Sequence, residues 1–234
     1  MAFRHELKFL ISESEEKALQ ERWKPIISYD KHAGPTGYTI RSLYFDDYYE
    51  AALYDKLAGV NERQKYRIRI YDGRDDVIRL ERKEKVGQYI RKTGASLGRA
   101  ELEGILSGEA GGMFARPEKL CQDFYMETVM NGLHPVVLVD YDRLPFVFPY
   151  GDVRVTFDEH VRAGAWAGDL FDMDTPAYEV LPPGVCILEV KFTEYLPDVV
   201  RDLLPTSDAA RVAASKYVMC LQKRAELLAR AAAE

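Results

Sequence analysis

Charged and apolar residues alternate with a period of two in six stretches of this chain. The stretches are 3–9, 65–70, 79–85, 139–143, 154–158 and 188–192. Residues two apart lie on the same face of a β-strand, so each stretch would carry a charged face and an apolar face. The charged positions are mostly Arg, Lys and Glu. The pattern predicts amphipathic strands whose charged faces would act together if the strands share one sheet.

Capping and turn signals predict the remaining elements. Ser12 and Glu15 form a capping box that opens a helix to about Trp23, and Asp46 with Asp47 would cap a second helix. Helices are predicted at about 13–23, 48–57, 99–107, 117–131, 196–204 and 209–232. After the first strand, further strands are predicted at about 38–45, 62–71, 77–86, 88–92, 136–143, 146–148, 152–159, 178–181 and 185–193, with a hairpin-like turn at 72–76. We expect a single α+β domain over residues 1–234, dominated by an antiparallel sheet.

Composition excludes several classes of protein. No apolar run approaches the roughly 18 residues that a membrane span needs, and the first residues lack the apolar region of a signal peptide. The three cysteines have no CxxC spacing, which favours buried, reduced thiols over a disulfide or a zinc site. These features predict a cytoplasmic protein.

The charge distribution points to a local anion site. The net charge is −6, which argues against a general nucleic-acid binder. Between residues 63 and 92, however, the chain has eleven Lys and Arg residues but only five Asp and Glu residues. A basic concentration within an acidic protein indicates a focused site for an anion.

The charged faces allow two interpretations. Any one stretch is compatible with a half-buried strand that shows its polar face to water. Taken together, the basic residues would repel one another across neighbouring strands unless an anion lay between them. With amphipathic helices covering the apolar faces, the strands would close into a barrel with a polar, basic lumen. Such a lumen would bind a multiply charged anion, and its Glu residues could hold a divalent cation.

Several short motifs occur in a recognisable order. They are Arg4-x-Glu6-x-Lys8, Lys65-x-Arg67-x-Arg69, Glu81-x-Lys83, Tyr141-x-Arg143, Glu189-x-Lys191 and Ser215-Lys216-Tyr217. In this order the chain resembles the VTC domain, the polyphosphate-polymerase domain of the vacuolar transporter chaperone, within the triphosphate tunnel metalloenzyme superfamily. The resemblance implies an eight-stranded antiparallel β-tunnel lined by basic residues, with helices packed outside.

The resemblance also implies roles for individual residues. The cations that would hold a triphosphate or polyphosphate are Lys8, Arg67, Arg69, Lys83, Arg143, Arg154, Lys191 and Lys216, with Tyr141 as a phenolic donor. Among these, Lys216, Arg67, Arg69 and Lys83 would act directly in catalysis. Glu189 would be the main ligand of Mn²⁺ or Mg²⁺, and Glu6 a second ligand. Arg41 is a weaker candidate for the lining.

One position departs from the hydrolytic members of that superfamily, which typically begin with Glu-x-Glu-x-Lys. Here Arg4 replaces the first Glu, which favours the VTC branch over the triphosphatases. The leading hypothesis is a metal-dependent polymerase that transfers the γ-phosphoryl group of ATP to a phosphate or polyphosphate chain. The alternatives are a triphosphate or nucleoside-triphosphate hydrolase and a non-catalytic polyphosphate-binding module. We expect no direct membrane insertion, so any membrane link would need a partner protein.

Overall fold

The computed structural model describes residues 5–31, 33–87, 89–205 and 212–232. Its strands are β1 (His5–Ser12), β2 (Ser28–Tyr29), β3 (Tyr38–Asp46), β4 (Glu62–Tyr71), β5 (Arg74–Val86), β6 (Tyr89–Leu97), β7 (His134–Phe148), β8 (Val153–Gly164), β9 (Ala177–Glu179) and β10 (Val185–Phe192). Its helices are α1 (Glu13–Trp23), α2 (Ala51–Leu57), α3 (Arg99–Leu106), a 3₁₀ helix (Ala110–Ala115), α4 (Lys119–Asn131), α5 (Asp198–Arg201) and α6 (Lys216–Ala231). None of the helices in these ranges is long and apolar enough to cross a membrane.

The strands form one large antiparallel sheet. Eight of them follow the hydrogen-bonded order β1-β10-β8-β7-β3-β4-β5-β6, while β2 pairs with β7 and β9 pairs with β8. The α+β class and the eight-strand path are therefore confirmed. The path ends at β1 and β6 without a hydrogen-bonded pairing between them in the described residues, so the predicted closed barrel is not formed by hydrogen bonds.

Local signals place several elements as predicted. Ser12 caps α1 through the backbone N–H of Glu15, and the Glu15 carboxylate accepts a hydrogen bond from the Ser12 N–H at 2.8 Å. Asp72 and Gly73 have φ values of 50° and 67°, which is the left-handed pair that a two-residue hairpin turn requires. The β4–β5 hairpin is consequently tighter than the five-residue turn expected from the sequence.

Other elements differ from the predictions. The two strands expected at 136–143 and 146–148 are one strand, β7, which continues through Pro145. Proline lacks an N–H donor, but the Pro145 carbonyl still accepts a hydrogen bond from the Asp30 N–H at 3.0 Å. Of the helix expected at 196–204, the structure forms only the short α5, and α6 begins at Lys216. Part of the predicted start of that last helix, 209–211, lies outside the described residues.

The chain divides into two compact units. Unit 1 comprises Met1–Thr39, Tyr141–Arg162 and Glu179–Lys216, and unit 2 comprises Ile40–Asp140, Ala163–Tyr178 and Tyr217–Glu234. In unit 1 the fully buried Trp23 packs near Phe157, with ring centroids 5.7 Å apart. In unit 2 Phe124 packs edge-on against Phe45. Each unit thus has its own apolar core, and the single-domain assignment stays a prediction.

The cysteines are free and buried, as the sequence indicated. They are Cys121, Cys186 and Cys220. Burial raises the pKa of the Cys186 and Cys121 thiols, with the neighbouring Glu16 carboxyl adding to the effect at Cys186. Because the thiolate is the reactive form, neither of these two cysteines is suited to act as a nucleophile.

Candidate functional site

Strand pairing in unit 1 brings the predicted residues of β1 and β10 onto one face. In the antiparallel β1–β10 register, Lys8 lies opposite Glu189 and Glu6 lies opposite Lys191. Residues directly opposite in such a pair point to the same side of the sheet. The neighbouring strand β8 then places Arg154 opposite Lys191 on the same face.

Glu189 is the centre of this face. Its side chain is only 5% exposed, and its two carboxylate oxygens contact four cationic side chains. The distances are 2.9 Å to Lys8, 2.8 Å to Lys191, 3.2 Å to Lys216 and 3.4 Å to Arg143. Burial would raise the pKa of Glu189, but the four cations outweigh it and hold that pKa well below its usual range. Glu189 is therefore ionised over the whole physiological range.

A second buried carboxylate, Asp158, stands beside Glu189. The Arg143 guanidinium donates to both of its oxygens, at 2.6 Å from Nε and 2.7 Å from Nη2, and the Lys216 ammonium group donates to Oδ2. Asp158 was not assigned a role from the sequence. Its place on the alternating face of residues 154–158 was the signal that could have identified it, since that face also carries Arg154.

These residues form what we call the Glu189 cluster. Its members are Glu6, Lys8, Arg143, Asp158, Glu189, Lys191 and Lys216. The cluster contains four cationic side chains and three carboxylates, so its net charge is positive. The ring of Tyr141 underlies it, with the Lys216 Nζ 4.7 Å and the Arg143 Cζ 5.2 Å from the ring centroid. Tyr141 therefore supports the cations through its ring face.

Glu189 and Glu6 share two ammonium groups. Lys191 Nζ lies 2.8 Å from Glu189 and 3.5 Å from Glu6, and Lys8 Nζ lies 2.9 Å and 3.8 Å from the same two carboxylates. Over the described residues, no group of three or more His, Cys, Asp or Glu side chains is placed to hold a metal ion. Mg²⁺ in phosphate-transfer sites usually takes one or two carboxylates and completes its shell with phosphate oxygens and water. The two carboxylates Glu189 and Glu6 are within the number that such an ion takes from a protein.

Unit 2 contains a second cluster, which we call the Glu81 cluster. Arg67 Nε and Nη2 both lie 2.7 Å from the buried Glu81 carboxylate, Arg69 lies 4.0 Å from it, and the Lys92 ammonium group donates to it. Burial opposes ionisation, but Arg67, Arg69 and Lys92 together hold the pKa of Glu81 well below its usual range. Arg67 also donates to the Tyr44 hydroxyl at 2.8 Å. The sequence interpretation gave no role to Lys92 or to Tyr44.

The other predicted residues lie as follows. Arg154 is 45% exposed and pairs with Asp30 at 2.6 Å. Arg41 is buried and makes a bidentate ion pair with Asp140 at 2.7 and 2.9 Å. Lys83 lies opposite Lys65 on β4. Arg4, on which the distinction from triphosphatases depended, lies outside the described residues.

Comparison with known proteins shows the family to which this chain belongs. Its sequence matches the family model of the VTC domain over residues 3–224. No curated protein matches it. A solved structure from Bacillus halodurans, described as a "putative adenylate cyclase", has 14% identity and a TM-score of 0.52, over 92% of this chain and 94% of that one. A second with the same description, from Vibrio parahaemolyticus, has 12% identity and a TM-score of 0.50, over 93% and 97%. At these identities the two structures show a shared fold.

Proposed function

From the premise that this chain belongs to the VTC domain family, which its match over residues 3–224 establishes, we propose that it is a polyphosphate polymerase. In this reaction the γ-phosphoryl group of ATP is transferred to a phosphate or to the end of a polyphosphate chain. The Glu189 cluster is the observation that carries the proposal. It combines a buried, ionised carboxylate with a surplus of cations, which is the composition that binds a phosphate group together with a divalent ion.

The cluster is suited to phosphoryl transfer without a protein nucleophile. Transfer of this kind depends mainly on positioning and on neutralising the charge of the phosphoryl oxygens. Arg143 is held rigidly by its two bonds to Asp158, so its remaining donor capacity has a fixed direction. Lys216 shares its ammonium group between Asp158 and Glu189. Both carboxylates raise the pKa of Lys216 despite its burial, so this lysine remains a cation.

A divalent ion, Mn²⁺ or Mg²⁺, would be held by Glu189 and Glu6 and would supply Lewis-acid polarisation of a phosphoryl oxygen when bound. Lys8 and Lys191 now neutralise those two carboxylates. With a triphosphate present, the same lysines can exchange carboxylate contacts for phosphate contacts, since an ammonium group on a flexible chain reorients easily. We also propose that Arg67, Arg69 and Lys83 of unit 2 bind phosphate.

The proposal is tested by incubating the protein with ATP and Mn²⁺ and resolving the phosphate products on a gel. Long phosphate chains support the polymerase. Orthophosphate released from tripolyphosphate without chain growth would instead support a triphosphatase, and binding of tripolyphosphate without turnover would support a binding module. Glu189→Gln should abolish product formation, whereas Glu13→Gln, at a residue 62% exposed on α1, should leave it unchanged. Full activity in Glu189→Gln would refute the assignment of Glu189 as the metal ligand.

A further inference from the structure

A buried hydroxyl on the charged face of unit 1 has no hydrogen-bond partner. Thr156 lies on β8 and is 1% exposed, and its Oγ1, which is shielded from solvent, makes no hydrogen bond in the described part of the chain. Buried polar atoms of side chains are nearly always hydrogen-bonded, because leaving one unpaired costs free energy. An unpaired hydroxyl at this depth therefore needs a physical explanation.

Thr156 lies directly opposite Glu189 in the antiparallel β8–β10 register. Directly opposed residues point to the same side of the sheet, and their Cβ atoms are about 5 Å apart. On the other side of Glu189 lies Lys8, so the three residues form one row across β8, β10 and β1. At this spacing the carboxylate of Glu189 is within reach of the Thr156 hydroxyl after a change of side-chain rotamer.

The Glu189 carboxylate does not accept this hydroxyl in the free protein because cations occupy its acceptor sites. An ionised carboxylate has about four lone-pair sites, two on each oxygen. Each oxygen of Glu189 contacts two cationic side chains, which are Lys8 and Lys216 at Oε1 and Lys191 and Arg143 at Oε2. The four contacts match the number of acceptor sites, so the hydroxyl opposite them stays unpaired.

Phosphate binding, as proposed above, would change the contacts of Glu189. Lys8 and Lys191 make the two shortest of these contacts, at 2.9 and 2.8 Å, and they are the side chains that would turn to phosphate oxygens. One acceptor site on each oxygen of Glu189 would then be vacated. A carboxylate that binds a metal ion is normally oriented by a hydrogen bond from a neighbouring group. Glu189 would therefore lose its main partners in the state in which its orientation matters most.

We propose that Thr156 is a positioning residue, whose hydroxyl donates to the Glu189 carboxylate once the lysines have turned to phosphate and so fixes that carboxylate for the divalent ion. The inference rests on the proposed function, because a phosphate ligand must draw Lys8 and Lys191 away. The hydroxyl is unpaired in the free protein and paired in the bound state. Threonine at this position therefore lowers the stability of the free protein and orients Glu189 when the ligand is bound.

The proposal predicts opposite effects of one substitution on stability and on binding. Thr156→Val keeps the shape of the side chain and removes the unpaired hydroxyl, so the free protein should unfold at the same or a higher urea concentration than the wild type. The variant should bind tripolyphosphate with Mn²⁺ about tenfold more weakly, because losing the partner of a metal-binding side chain typically costs this much or more. Thr156→Ser keeps a hydroxyl and should bind like the wild type.

The test measures both quantities on the full chain. Urea unfolding in metal-free buffer gives the stability of the free protein, and calorimetric titration with tripolyphosphate in the presence of Mn²⁺ gives the affinity. Thr93→Val is the matched control, because it removes a hydroxyl from a strand position on β6 of unit 2, opposite Arg82. The control should bind tripolyphosphate with Mn²⁺ as tightly as the wild type.

The outcomes distinguish this inference from the proposed function. If Thr156→Val and the wild type bind tripolyphosphate with Mn²⁺ equally, the role of Thr156 is wrong while the proposed function stands. A Thr156→Val protein that unfolds at a lower urea concentration or fails to fold, or a Thr156→Ser protein that binds as weakly as Thr156→Val, would indicate a packing role and overturn the inference. If the wild type does not bind tripolyphosphate with Mn²⁺, the proposed function itself is wrong.

Discussion

Replacing Lys65 with Met should stabilise the free protein near neutral pH. Burial, together with the neighbouring cations Lys56, Arg63 and Lys83, lowers the pKa of the Lys65 ammonium group from 10.5 to about 7, although Asp46 opposes the shift. At pH 7 a depression of this size corresponds to about 4 kcal/mol of folding free energy. Met gives up the contact between the ammonium group and the ring of Tyr217, worth about 1 kcal/mol. The expected net gain is about 3 kcal/mol.

The pH dependence of this gain follows from the direction of the pKa change. Between about pH 7 and 10.5 the unfolded chain binds a proton at Lys65 that the folded chain has lost, so wild-type stability rises with pH across this window. The advantage of Lys65→Met should accordingly be largest at and below pH 7 and shrink as the pH approaches 10.

The assay is urea unfolding of the wild type and Lys65→Met at pH 6.5, 8 and 9.5, followed by fluorescence of the buried Trp23. Lys17→Met, which removes a charge at an exposed position, should track the wild type at every pH. A variant no more stable than the wild type at pH 6.5, or one whose advantage does not change with pH, would refute the argument that Lys65 is held against its electrostatic preference.

Three further substitutions probe other parts of the chain. Burial and the neighbouring Glu159 raise the pKa of Glu16 to about 7, so wild-type stability should fall as the pH rises from about 4.5 through 7. In urea unfolding, Glu16→Gln should therefore be more stable than the wild type by up to about 3 kcal/mol at pH 8.5 and equal to it at pH 4.5. Arg41→Met should lower the free energy of unfolding by about 3–5 kcal/mol by leaving Asp140 buried without its partner. Adding Asp140→Leu should recover much of that loss, and no recovery would argue against an isolated pair. Lys216→Met should lower kcat for ATP consumption by about a hundredfold or more, measured as nucleotide turnover, and a change below twofold would exclude a role in transfer.

The charged residues of the two units differ in how far neighbouring carboxylates offset their positive charge. In unit 2, Lys65 lies opposite Lys83 and Lys83 lies opposite Lys92 across β4, β5 and β6, and like charges in register are destabilising in a sheet. In unit 1, by contrast, Glu189 and Asp158 offset most of the positive charge of their neighbours. An incoming phosphate must therefore compete with carboxylates at the Glu189 cluster.

Much of the candidate site could be predicted because strand alternation is a local property. The positions of Lys8, Arg143 and Glu189 on charged faces follow from a period of two, which β-strand geometry imposes on any sequence. The capping box at Ser12 and the turn at Asp72-Gly73 were likewise readable from a few neighbouring residues. Their residue types act through backbone hydrogen bonds and φ angles within one turn.

Tertiary structure decided the partners of those side chains. The alternating pattern of 154–158 could not show that Asp158 would bind Arg143 and Lys216, because that depends on how β7, β8 and the start of α6 meet. Pairing also determined that Arg41 is bound by Asp140 and that the Lys65 ammonium group lies over the ring of Tyr217. The amino-acid sequence by itself determined which residues are charged and which face of a strand they share. Ion pairing and pKa depend on distances of a few ångströms between segments far apart in the chain, and only the folded structure sets those distances.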